Sequence, residues 1–178
     1  MLDLFLKWES CYFLPEDGAE AEQCFLSLLR SPGETYISAY ACNLAPLFAA
    51  IIAADASGVM IHMLLDHSQA VSEYERAPLQ ALVNALRYSD VTITTAGSGS
   101  SCPAGIWHAK TMVVLDPPRE PSIWRGSVNF SKSGFQQGNT AEHFKSAPYA
   151  RKAITQFQIH RAWALAQEPQ YQLKKANA

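Results

Sequence analysis

Apolar and polar positions along this chain change rhythm several times, and each change marks an element. Thr35 to Ala41 alternates closely enough to predict a strand. Leu44 to Ala56 is apolar almost all round, so it predicts a helix packed on a sheet, with Asn43 able to cap it and Gly58 stopping it. Val59 to Leu65 then reads as a buried strand. That strand, helix, strand order calls for a right-handed crossover and a parallel pair. Leu79, Leu82, Val83 and Leu86 recur at helical spacing within a helix around Ala77 to Tyr88, and Val91 to Thr95 predicts another strand. Thr111-Met112-Val113-Val114-Leu115 is a short apolar run of strand length, followed by a turn at Pro117 to Pro121 and a further apolar piece at Ile123-Trp124. A helix from Pro15 to about Arg30, with Glu20 and Glu22 near its positive end, precedes all of these, and Ala147 to Ala166 closes the pattern as a helix carrying Ile154, Phe157, Trp163 and Leu165. Residues 1 to 14 are mixed and predict at most a short extended piece at Cys11 to Leu14, and the tail from Glu168 is expected to fray.

These elements predict an α/β fold: one domain over 1–178, its core at about 34–165, with a mixed, mostly parallel sheet flanked by helices on both faces. With 178 residues, 48% hydrophobic and 17% charged, the chain has the balance of a globular domain with a sizeable core. No run approaches the roughly 20 apolar residues of a membrane helix, and MLDLFLKWESCYF is not a secretory leader, so no transmembrane segment and a cytoplasmic location are expected. Cys11, Cys24, Cys42 and Cys102 show no CxxC and no histidine at metal-ligand spacing, which favours free thiols.

Charge divides the chain. Residues 1 to 100 hold 4 basic and 12 acidic side chains, a balance of −8, and residues 101 to 178 hold 10 and 4, a balance of +6. The basic half suits an anionic substrate. It also contains the residues with the most chemistry. His108 and Lys110 lie two apart at the start of the 111–115 run, so on a strand they project to the same side. An imidazole can act as nucleophile or acid/base, and an ammonium beside it attracts an anion, with a phosphate the obvious candidate. Gly126-Ser127-Val128-Asn129 adds a glycine that permits close backbone approach and two polar side chains again two apart. Glu142, in a polar segment with Asn139, is placed to hydrogen-bond a ring nitrogen of His108 as the third member of a triad does. Asp66 and His67 end the second strand, where open α/β sheets place ligands; each is either a site-rim group or an ordinary cap or solvated residue. Trp107 and Trp124 are either core or base-stacking residues. The 96–103 loop, AGSGSSCP, lacks a P-loop's GKS/T ending and precedes a strand; it is either a substrate-gating lip or inert.

His108-x-Lys110, Asp116, Gly126-Ser127-x-Asn129 and Glu142 together resemble the signature of the phospholipase D superfamily, nearest to its small, single-motif bacterial endonucleases. Glu34 to Tyr40, the Ala-rich run closing at Ser57-Gly58-Val59, and Ile61 to Asp66 resemble the elements that precede the motif there, so the likeness covers roughly residues 34 to 165. The usual spacing puts the aspartate one residue closer to the lysine, where this chain has Leu115. The resemblance implies a phospholipase D-like fold and a metal-independent phosphodiesterase without cofactor. One motif supplies one histidine, so it further implies a homodimer whose composite site joins His108 of both chains: one attacks phosphorus to give a phosphohistidine, the other protonates the leaving group. Lys110, Ser127 and Asn129 would hold the phosphate oxygens, Glu142 would orient His108, and Asp116, Gly126 and Asp66 would support. DNA or RNA is the leading substrate. Phospholipid, in a phospholipase D or cardiolipin-type hydrolase, is the enzyme alternative, and a catalytically idle nucleic-acid-binding module is the third class. His62, His67, His143 and His160 stand in no second copy of the motif.

Overall fold

The computed structural model describes residues 7–95 and 107–176; the predicted loop at 96–103, Cys102 among it, lies outside the described residues. In chain order the elements are β1 (Lys7–Phe13), α1 (Gly18–Leu28), β2 (Glu34–Ala39), α2 (Ala45–Ala56), β3 (Met60–Asp66), the single turn α3 (His67–Ala70), α4 (Arg76–Ala85), β4 (Asp90–Thr94), β5 (Lys110–Leu115), β6 (Ser122–Gly126), the short α5 (Lys132–Gln136), β7 (Thr140–Lys145) and α6 (Ala147–Gln167), followed by a 3-10 turn at Pro169–Tyr171. The strands form one seven-stranded sheet in the order β1-β7-β6-β5-β2-β3-β4.

The sheet is mixed, but its parallel part is smaller than the sequence suggests. Only β2–β3 and β3–β4 pair in parallel, where helical crossovers join the strands. The other four pairs, β2–β5, β5–β6, β6–β7 and β1–β7, are antiparallel. Between β5 and β6 the six residues Asp116 to Pro121 are too few for a crossover and force that pair antiparallel. The polar stretch around Asn139 and Glu142, which shows no apolar rhythm, becomes β7, an inner strand between β1 and β6, and the ambiguous N-terminus becomes the edge strand beside it. One consequence of these directions positions the site: the carboxyl ends of β1, β2, β3, β4 and β6 and the amino ends of β5 and β7 share a single edge of the sheet.

Strand alternation divides the interior in two. Ile37, Met63, Met112, Val114, Trp124 and Ala141 face a large core filled from α1, α2 and α4 by Phe25, Leu47, Ile51, Leu79 and Leu82. Tyr36, Leu64, Val113, Ile123 and Phe144 face the other way, against Ala150 and Phe157 of α6. Trp124 is core: it is fully buried, 5.5 Å from both the Tyr12 and Phe25 rings, and its truncation to alanine is expected to cost about 3–5 kcal/mol. Helix boundaries follow local chemistry. Ser146 caps α6 by accepting from Tyr149 N at 3.2 Å, and Gly58 adopts φ 87° to end α2. Asn43 does not cap α2: the cap position is Leu44, without a side-chain bond, and the Asn43 N–H goes to Phe130 O.

The C-terminal tail is docked rather than frayed. Gln172 Oε1 accepts from Ile93 N (2.9 Å) and its Nε2 donates to Ile93 O (2.8 Å), taking the place of a neighbouring strand along the edge strand β4. Buried Glu168 accepts from the backbone N–H and the hydroxyl of Thr95, and Lys175 reaches Leu86 O at 2.7 Å. Glutamine and lysine carry no apolar rhythm, which is why this docking was invisible in the sequence.

Candidate active site

The site is assembled at the shared edge, around the two residues that lead into β5. Ala39 pairs with Lys110, Tyr40 N donates to Ala109 O (2.8 Å), and Trp107 N donates to Asp66 Oδ2 (2.6 Å). The backbone is therefore fastened on both sides of His108. Asp66 does this from the end of β3 while its other oxygen accepts from Ser68 N and Oγ to cap α3. His67, its neighbour, is turned to the docked tail, with its ring 4.0 Å from that of Tyr171.

Alternation then separates the side chains by face. Trp107, Ala109 and Thr111 point toward α6, where they line a cavity of about 180 Å³ with Tyr36, Tyr149 and Phe157. Trp107 packs there on His160, ring to ring at 4.3 Å. His108 and Lys110 both meet one ring, that of Tyr40: the imidazole is edge-on to it at 4.7 Å, and the Lys110 Nζ lies 5.2 Å from its centroid. The candidate site is on this side, and the cavity under α6 lies on the opposite face of the strand.

His108 is exposed, and among the described residues it has no carboxylate partner. Lys110 is its opposite in burial, only 6% exposed, with Nζ 3.4 Å from the His108 carbonyl oxygen and no acidic partner among the described residues. Burial alone pulls its pKa below the ordinary lysine value. A buried ammonium that meets an aromatic face and one carbonyl but no counter-ion among the described residues attracts an anion.

The turn after β6 is strapped to the same edge. Phe130 N donates to Ala41 O, and Phe130 O accepts from both Asn43 N and Leu44 N, each at 3.0 Å. Asn129 is held in this strap with Oδ1 buried and unpartnered among the described residues, an acceptor that only a donor can satisfy. Ser127 is committed locally: its hydroxyl donates to Asn139 Oδ1 (2.9 Å) and accepts from Thr140 N (3.0 Å). It ties the turn to the start of β7. Gly126 is needed for close approach, but the approaching backbone is that of β7, since a Cβ there would stand 2.1 Å from Thr140 O. Gly134, which the sequence did not single out, has the same role toward Asn129 O, also 2.1 Å from its ideal Cβ.

Two expected partners are elsewhere. Glu142 pairs with Arg125 across β6–β7 and accepts at Oε2 from Arg125 Nε at 2.9 Å; Arg125 lies over Phe144 and Tyr149, on the α6 side. It thus faces away from Lys110 and does not orient His108. Asp116 follows the far end of β5 and accepts from Arg119 Nη1 (2.9 Å), across the length of the strand from Lys110. His143, the residue beside Glu142, points into the α1 side, 3.9 Å from Cys24 Sγ and 3.5 Å from Glu9 Oε2.

Two residues with no motif signal complete the edge. Tyr40 was legible only as the end of a strand; the chain bends there, and the bend carries its ring over Lys110. Buried Glu75 receives Cys42 N on both carboxylate oxygens, at 3.3 and 3.2 Å, and so pins the 40–44 turn from behind; burial raises its pKa. Among the described residues no three His, Cys, Asp or Glu side chains gather to hold a metal ion.

Comparisons with known proteins agree on this architecture. The sequence family described as "Cardiolipin synthase, PLD-like domain" matches residues 27–160. NucT from Helicobacter pylori superposes with a TM-score of 0.71 at 17% identity, covering 85% of this chain and 93% of that one. Nuc from Salmonella typhimurium, a phospholipase D family member, gives 0.69 at 18% identity over 85% and 91%. Phosphatidylserine synthase from Haemophilus influenzae Rd KW20 gives 0.61 at 14% identity, covering 84% of this chain but 37% of that one. These identities establish a common fold. No curated protein matches the chain by sequence.

Proposed function

The chain belongs to the cardiolipin synthase, PLD-like domain family, and on that premise we propose that it is a metal-independent phosphodiesterase that hydrolyses nucleic acid through a phosphohistidine on His108. The observation that carries this reading is the arrangement on the Tyr40 ring: an exposed imidazole beside a buried ammonium that has no carboxylate partner among the described residues. In the proposed reaction a ring nitrogen of His108 attacks phosphorus and the bond to the leaving oxygen breaks. Lys110 Nζ and the side-chain Nδ2–H of Asn129 donate to the non-bridging oxygens as charge builds on them. Ser127 and Asp66 position the two backbone segments that carry these groups. The leaving oxygen needs a proton, and the reading assigns it to His108 of a second copy of the chain, so the working unit is a homodimer. That second imidazole then takes a proton from water, which displaces His108 from phosphorus.

The +6 balance of residues 101 to 178 and the nearly full-length match to Nuc and NucT support a nucleic-acid substrate. Phospholipid is the second reading, favoured by the family description and by the likeness to phosphatidylserine synthase. Among the described residues no helix is long and apolar enough to cross a membrane. The test is to incubate the protein in EDTA with labelled single-stranded and duplex DNA, RNA and phospholipid vesicles side by side. Cleavage of a nucleic acid that persists in chelator is expected. Activity abolished by EDTA and restored by magnesium, or turnover of vesicles alone, contradicts it.

A further inference from the structure

We propose that Tyr40 is a further catalytic residue of this site, its phenolic hydroxyl donating a hydrogen bond to a non-bridging phosphate oxygen while its ring holds Lys110 and His108 in place. The inference rests on the phosphodiesterase reading above and extends it to a residue outside the motif.

Three features of Tyr40 carry it: its shared ring, its hydroxyl partner and its anchored backbone. The Tyr40 ring is the surface that both motif side chains share, with His108 at 4.7 Å and Lys110 Nζ at 5.2 Å, so the anion drawn by the ammonium arrives beside this ring. Gln69, on α3, donates Nε2 to the Tyr40 oxygen at 2.9 Å. A phenol that accepts one hydrogen bond keeps its own proton to give, and the proton is left for a third group. The half-buried ring is also fixed at its base: Tyr40 N is bonded to Ala109 O, and the next turn is pinned by Glu75 through Cys42 N. The hydroxyl is therefore a preorganised donor, and a donor that need not move when charge develops is the kind that accelerates phosphoryl displacement.

Tyr40→Phe removes the hydroxyl and keeps the ring. Gln69→Glu keeps the tyrosine but replaces the donor with a carboxylate that accepts the phenolic proton, withdrawing it from the phosphate. Both variants, with wild type and His108→Ala, are assayed for kcat and KM on labelled DNA and RNA and on bis(p-nitrophenyl) phosphate. Each is also titrated with orthovanadate, an analogue of the five-coordinate phosphorus, by calorimetry. Tyr40→Phe is expected to lower kcat about 10- to 100-fold with KM nearly unchanged, and to weaken vanadate binding by a similar factor. Gln69→Glu is expected to follow it in both readouts. Tyr40→Phe with wild-type kcat and wild-type vanadate affinity, in a protein whose activity still requires His108, overturns the role of Tyr40 and leaves the phosphodiesterase reading standing. A wild-type protein that neither turns over a diester nor binds vanadate overturns both.

Discussion

The two edges of the sheet each hold a histidine among charged neighbours, and they are built on opposite principles. At the edge away from the site, His62 on β3 is clamped between Asp90 (2.5 Å) and Glu34 (2.9 Å), and Asp90 is bound in turn by Arg161 Nε at 3.1 Å. The hydrogen bond that the His62 ring donates to Asp90 raises the His62 pKa against the opposing effect of burial. Burial pushes the Asp90 carboxyl up, but His62 and Arg161 outweigh it and hold it below its ordinary value. At the site edge the cations lack such partners: among the described residues Lys110 is buried without an acid and His108 is exposed without one. A closed network of charges stabilises a fold; an open one is an unfavourable arrangement until an anion fills it. That contrast, rather than the presence of histidine, singles out the His108 edge as the candidate site.

The largest test of the contrast is to remove a histidine from each edge. His108→Ala is expected to lower turnover at least about 10,000-fold with no loss of melting temperature, because it deletes nucleophile and acid together and touches an exposed side chain. Replacing Lys110 by methionine is expected to cost about 100-fold or more in kcat while leaving stability unchanged or higher by up to about 1 kcal/mol, since a buried charge without a partner is replaced by an apolar chain of similar length. The opposite outcome belongs to the other edge: Asp90→Ala is expected to lower stability by about 1 kcal/mol, screened because the side chain is 33% exposed, with kcat unaffected. Urea titrations and initial rates on the same preparations separate these patterns.

A smaller effect follows from the raised pKa of His62. A histidine held above its unfolded value adds stability that is fully present below about pH 6.5 and is lost as pH rises through the folded pKa. Chemical denaturation across pH 6 to 9 should show that decline in the wild type, and it should shrink in His62→Gln. Smallest of all, Asp116→Asn and Glu142→Gln are each expected to change kcat by no more than about 2-fold, because neither carboxylate faces the Lys110 side of the site.

The motif residues that alternation could place were legible: an apolar run after His108-x-Lys110 had to be a strand, and strand parity put both side chains together. Glu142 and Asp116 show how the same parity misleads when register is unknown. One residue along β7 exchanges the α1 face for the α6 face, so Ala141 rather than Glu142 occupies the side shared with Lys110. Tyr40 and Glu75 were illegible for different reasons: the first depends on a bend that ends the alternation, the second on a contact to Cys42 from a segment with no apolar rhythm. The parallel part of the fold was readable because helices alternate with strands through β4. The antiparallel half was not, since β1 and β7 mix charged and apolar residues on strands whose neighbours lie far away in the sequence.

In the proposed reaction His108 bonds covalently to phosphorus, and a rapid alkaline quench captures that bond. Wild-type protein is mixed with an oligonucleotide labelled at the scissile phosphate, in EDTA, denatured within seconds, and digested for mass spectrometry. A base-stable, acid-labile phosphoramidate on the peptide containing His108, absent in His108→Ala and decaying at the rate of turnover, is the predicted result. Turnover that proceeds with no adduct on His108, or with undiminished rate in His108→Ala, contradicts it.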